Sequence, residues 1–134
     1  FSINNGAKPI YPDMKLYEEI LFLKHYFKGL WIVENVKPFY EPLIVPLELQ
    51  RHYFWCNFYI KIINFESDAL QITGGWEEKE NDQIDRLQKR YGFNLSHYKI
   101  HKRTALRNCV EPEVGLHILN YARKNEFSDL FSCQ

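Results

Sequence analysis

One junction limits what this chain can fold into. DMKLYEEILFLKHYFKG, Asp13 to Gly29, is followed by LWIVENV, Leu30 to Val36, with no room for a long loop. Leu16, Ile20, Leu23 and Phe27 recur at helical spacing, with Tyr17, Leu21 and Lys24 in the neighbouring rows. Asp13 is placed to cap this helix and Gly29 to stop it. The apolar run after it predicts a central strand covered on both faces, as in a parallel sheet. A helix feeding such a strand is half of a β-α-β unit. In these sheets ligands bind beyond the carboxyl ends of the strands. Glu34 and Asn35 stand at that end.

The flanking segments fit around this unit. Phe1 to Pro12 is rich in Asn, Gly and Pro and predicts a loop. Lys37 to Pro46 holds three prolines, which exclude a regular strand or long helix, and predicts an ordered loop beside the site. Arg51 to Phe65 is aromatic and β-branched and predicts one or two strands, most strongly over Tyr53 to Phe58. Gly74-Gly75 predicts a flexible joint. Glu77 to Phe93 predicts a polar amphipathic helix with Ile84, Leu87 and Tyr91 on its apolar row and Gly92 as its stop. Glu111 to Phe127 predicts a last helix, with Pro112 in its first turn and Val114, Ile118 and Tyr121 on one face.

The chain has 134 residues, which predicts one domain, and 46% of them are hydrophobic, enough for a packed core. Lys and Arg together number 17, as do Asp and Glu, so net charge does not point to nucleic acid. A local basic strip suffices for phosphate contacts, and HKRTALR, His101 to Arg107, is one; its plain alternative is a solvated loop. Cys56, Cys109 and Cys133 lack the spacing of a zinc site, and an odd count fits a reducing cytoplasm. No apolar run reaches the about 20 residues of a membrane span.

Three places could carry chemistry. A carboxylate on a half-buried apolar strand is costly without a partner. Glu34 could meet an amidine-like ligand edge, such as N3 and the exocyclic amine of a pyrimidine, or pair with a nearby Arg or backbone amide. Arg51 and His52 open a strand; an Arg there could hold Glu34 or a ligand phosphate, or be an edge-of-strand charge. Asn108 precedes a proline-started helix whose free N–H groups could receive an anion, or is a simple cap.

In order along the chain, these landmarks resemble the DNA cytosine-5 methyltransferase family, and the wording resembles a bacterial or phage branch of it. ENV, Glu34 to Val36, matches the family motif whose Glu contacts the target cytosine. Phe1-Ser2 resembles the tail of the Pro-Cys-Gln-x-Phe-Ser loop. RNCVEPEVGLHI, Arg107 to Ile118, resembles Gly-Asn-Ala-Val-x-Pro, with Asn108, Val110 and Pro112 in place and Arg107 where Gly is usual. LQRHYFW lies where the family has Gln-x-Arg-x-Arg, but Gln50 and Arg51 are adjacent, so neither Arg of that motif is assigned.

The resemblance implies the carboxyl-terminal half of a Rossmann-like methyltransferase sheet with flanking helices. Its parts would be a catalytic-sheet segment over residues 1–65, a small recognition-like region over 66–100, and the final motif and helix over 101–134. It implies a cytosine flipped out of the duplex, a Cys thiolate added to C6, and a methyl group passed from S-adenosylmethionine to C5. Glu34 would hold the N3 edge, Asn35 would fix the turn, and Asn108 and Val110 would touch the cofactor. Arg51, His52, Lys102 and Arg103 would face DNA.

The Pro-Cys-Gln nucleophile and the Phe-x-Gly-x-Gly cofactor loop do not occur in these residues, and no GxG occurs at all. The chain is therefore expected to be inactive alone and to need DNA and a complementary segment carrying the Cys. A non-enzymatic nucleic-acid-binding module is the alternative, and a small α/β domain with a structural Glu34 stands behind both. Half a sheet leaves an edge uncovered, so the isolated chain is expected to self-associate, to pair, or to be marginally stable. Sedimentation of the isolated chain checks this: a stable monomer with a closed sheet is the contrary result.

Overall fold

The computed structural model describes residues 12–38, 40–65 and 78–131. The Gly74-Gly75 joint, Cys133 and all but Pro12 of the first expected loop lie outside them. The described residues divide into two compact units, 12–65 with 116–131, and 78–115.

The first unit is an α/β arrangement. Helix α1 (Met14–Tyr26) begins at Asp13, whose carboxylate accepts the Lys15 N–H at 3.1 Å. This is the expected cap. The helix ends earlier than Gly29: Phe27 is its C-cap, extended, with its N–H on the Leu23 carbonyl. Phe27 therefore leaves the predicted stripe and lies exposed. Strand β1 (Ile32–Val36) follows, then β2 (Leu47–Leu49) and β3 (His52–Cys56).

The strands form one antiparallel sheet in the order β1-β3-β2. This corrects the expectation of a central parallel strand. Among the described residues β1 is an edge strand, partly exposed along its length, and its one neighbour runs opposite to it. From β1 the chain passes through residues 37–46 to β2, and a two-residue hairpin then turns β3 back between them, antiparallel to both. Gln50 and Arg51 are the two residues of the β2–β3 turn, and Gln50 takes a positive φ of 53° there. A II′ turn has that sign at its first central residue.

Side chains alternate across the sheet. Val33, Tyr53 and Trp55 share one face, and α1 packs on it through Leu16, Tyr17, Ile20 and Leu23, with Trp31 and Ile44 closing the cluster. Tyr17 meets Trp55 edge to face at 6.2 Å. Each such buried side chain contributes roughly 1.5–3 kcal/mol. The two rings also pin the proline loop: the Tyr17 hydroxyl accepts the Leu43 N–H at 3.0 Å, and Trp55 Nε1 donates to the Ile44 carbonyl at 2.8 Å. Leu43 and Ile44 of the expected loop are thereby held against α1 and β3.

Residues 57–65 form no second strand. They run along helix α4 (Pro112–Phe131), where His117 Nε2 lies 2.8 Å from the Lys61 carbonyl and Tyr59 meets Tyr121 edge to face.

The second unit is helical. Helix α2 (Glu80–Tyr91) packs on the short helix α3 (Lys102–Arg107), and α4 begins here. Leu87, Leu106 and Val114 are fully buried. HKRTALR is thus largely a helix, not a solvated loop, because Leu106 gives it an inward side. Gln83, absent from the expected apolar row, is also buried.

Gly92 ends α2 at φ 74°, with its N–H on the Gln88 carbonyl. A Cβ there would meet nothing within 4 Å, so a side chain would be opposed by backbone strain alone. Gly92→Ala should destabilise the second unit by about 1 kcal/mol. Denaturant unfolding checks this, and an unchanged midpoint is the contrary result.

Candidate functional site

Glu34 is the third residue of β1, paired across the sheet with Phe54. Its side chain therefore lies on the face away from α1, with Val36, His52 and Phe54. The antiparallel ladder brings the start of β3 beside the end of β1. His52, one step diagonal to Glu34, then reaches it: His52 Nδ1 lies 2.5 Å from Glu34 Oε1. The Glu34 side chain remains 36% exposed, whereas that of His52 is only 1% exposed. One carboxylate oxygen is thus held from inside while the group still meets solvent.

Glu34 therefore has a protein partner, and it is the neighbour of Arg51 in sequence. Spacing suggested an Arg, because charge pairing is legible in composition. The diagonal contact depends on the register of β1 against β3, strands that are not neighbours in sequence. Arg51 stays in the turn, and its carbonyl accepts the Lys37 N–H at 3.0 Å. Asn35 points to the opposite face from Glu34, opposite Tyr53. The two residues of the motif do not converge.

Asn57 was not singled out by sequence. Its Oδ1 accepts the Trp31 N–H and its Nδ2 donates to the Gly29 carbonyl, both at 2.9 Å. This clamp fixes the lead-in to β1. The sequence placed Asn57 inside the expected strand Tyr53 to Phe58, whereas β3 ends one residue before it.

The remaining predicted residues belong to the second unit. Asn108 is exposed and closes α3, its backbone N–H meeting the Thr104 and Ala105 carbonyls. It does not open α4. Val110 is partly buried, and Glu111 beside it is a buried carboxylate engaged by Arg90 Nε at 3.2 Å and the Tyr91 hydroxyl at 3.3 Å. Arg103 Nε donates to Gln83 Oε1 at 2.5 Å, and Lys102 Nζ donates to the Ser96 carbonyl at 3.2 Å.

Cys56 Sγ donates to the Phe58 carbonyl at 3.2 Å, and burial pushes its thiol up, away from ionisation. Cys109 Sγ donates to the Ala105 carbonyl. An open depression of about 530 Å³ lies along Leu47, Cys56 and Phe58 to Ile62, away from the Glu34 carboxylate's partner. No helix among the described residues is long and apolar enough to cross a membrane. No protein-family model, curated protein or solved structure matches the chain.

Arg86 donates twice to Glu78, at 2.8 and 2.9 Å, and these bonds hold the Glu78 carboxyl below its ordinary value. A lowered folded-state value adds stability above the unfolded value of about 4.3. That stability is lost as pH falls through the folded value. Glu78→Gln should therefore flatten the acid side of the second unit's stability profile. Amide exchange in α2 measured from pH 6 down to pH 3 reads it, and identical profiles are the contrary result.

Proposed function

We propose that this chain is the carboxyl-terminal portion of a DNA cytosine-5 methyltransferase, in which Glu34 holds the N3 edge of a flipped cytosine. The observation that carries the reading is Glu34 itself. It is the central residue of β1, not at the strand end the sequence suggested, with one oxygen fixed by buried His52 and the group still open to solvent. Hydrogen bonding at N3 stabilises the charge that forms in the ring when C6 is attacked, so C5 becomes nucleophilic.

The sheet supports the same reading. The Lys37–Arg51 and Asn57–Trp31 backbone bonds show that residues 31, 33, 35 and 37 direct their polar groups to β3. The backbone N–H and C=O groups of Ile32, Glu34 and Val36 then point to the other edge of β1, which has no strand among the described residues. A largely parallel sheet often ends in antiparallel edge strands. On this reading β1-β3-β2 is the end of a larger Rossmann-like sheet. The complementary segment supplies its parallel strands, the attacking Cys and the cofactor site.

A second reading rests on a different observation. From Arg86 to Val110 the chain carries Arg86, Lys89, Arg90, Lys99, Lys102, Arg103 and Arg107, and no carboxylate. Tyr98 and Ile100 are exposed within that run. Arg86, Arg90 and Arg103 are engaged by Glu78, Glu111 and Gln83, but Lys89, Lys99 and Lys102 with exposed Tyr98 suit phosphate contacts and base stacking, so the second unit would bind nucleic acid without any reaction.

Mixing the chain with a segment carrying the Pro-Cys-Gln loop and the glycine-rich loop tests the first reading. Methyl transfer should appear only in the mixture, and Glu34→Gln should reduce it about 10²–10⁴-fold. Transfer by the chain alone, or full activity of the variant, overturns it. Duplex titration tests the second: affinity should fall steeply between 50 and 200 mM salt, in about the proportion set by the number of phosphates contacted. Salt-independent affinity, or none, counts against it.

A further inference from the structure

His52 holds an unusual place for a polar side chain at the start of a strand. It faces Val36 on β1 and Leu49 on β2, and its ring lies 6.2 Å from that of Phe54. Packing on three sides leaves the imidazole little rotational freedom. Its Nδ1 meets Glu34 Oε1 at 2.5 Å, while its Nε2 is buried with no hydrogen-bond partner among the described residues.

We infer that His52 is the positioning residue for Glu34: it fixes Oε1 and the plane of the carboxylate, so that Oε2 is the oxygen a ligand meets. The inference rests on reading Glu34 as the group that holds the base. With a proton, if any, on the outward Oε2, Oε1 only accepts hydrogen bonds, so Nδ1 carries the ring proton and the buried Nε2, which has no acceptor among the described residues, is the bare nitrogen. The opposite tautomer would set two acceptors against each other at Nδ1 and place an N–H at a buried site without an acceptor. The tautomer and the carboxylate therefore fix one another. A free Glu side chain would have to lose rotamer freedom each time a base bound; here that loss is met in folding. With Oε1 taken by His52, Oε2 is the oxygen left to share a proton with cytosine N3 or to accept from the exocyclic amine.

Ring-nitrogen NMR of the histidine-labelled full chain tests the pairing without any reaction. His52 should show a protonated Nδ1 and a bare Nε2, and Glu34→Ala should change that pattern. An Nε2–H ring in the unsubstituted chain, or an unchanged pattern in Glu34→Ala, overturns the inference. The positioning role is then read in methyl transfer with the complementary segment. His52→Leu should lower kcat about 10–100-fold, the range for residues that orient a reacting group through one contact, with the KM for DNA within about twofold. His52→Asn puts an amide Nδ2 where Nδ1 was and should recover most of the loss. A loss confined to KM, or no recovery in a folded His52→Asn chain, overturns it. Absence of transfer with the unsubstituted chain counts against the methyltransferase reading alone, and the ring-nitrogen result still decides the pairing.

Discussion

The contact of Tyr17 with Trp55 is the one on which the first unit depends. It joins α1 to the central strand of the sheet, and both rings spend their polar ends on the backbone of the proline loop. Burial pushes the Tyr17 hydroxyl up, so it stays protonated and the contact does not vary near neutrality. A single apolar cluster thereby sets the position of a helix, a strand and a loop. With one face of the sheet closed by α1, the other face is left to carry Glu34 and His52. The site is what remains when the core has taken its side.

Much of this arrangement was legible in the residues. Asp13 announced the start of α1, Gly92 the end of α2 and Pro112 the start of α4, because caps and stops are local chemistry. The three prolines between Lys37 and Pro46 foretold a loop. The strand partner was not legible. An apolar run such as LWIVENV reads the same at the centre of a parallel sheet and at the edge of an antiparallel one; only pairing separates them. Helix α3 was hidden for a similar reason: one buried leucine, Leu106, carries its whole inward side, and charges surround it.

The candidate site divides along the same line. Glu34 stood out because a carboxylate interrupts an apolar strand. His52 was noticed beside Arg51 but without its partner, since the contact runs diagonally across two strands 18 residues apart. Asn108, from the last motif, closes a helix with its backbone, and Arg103, from the basic strip, bonds a buried glutamine. Motif letters locate positions in a chain. Whether a side chain there faces outward is settled by the packing around it.

The diagonal pairing of Glu34 with His52 has a consequence for assembly. Strand faces alternate with every residue, so a slip of β3 by one position along β1 would carry His52 to the face that α1 covers. Glu34 would then lose its support, and a polar ring would enter the cluster of Tyr17 and Trp55. The pair thus marks the register of β3 against β1. Only the register that completes the apolar cluster also completes the acid, so a misfolded copy would lack a poised carboxylate.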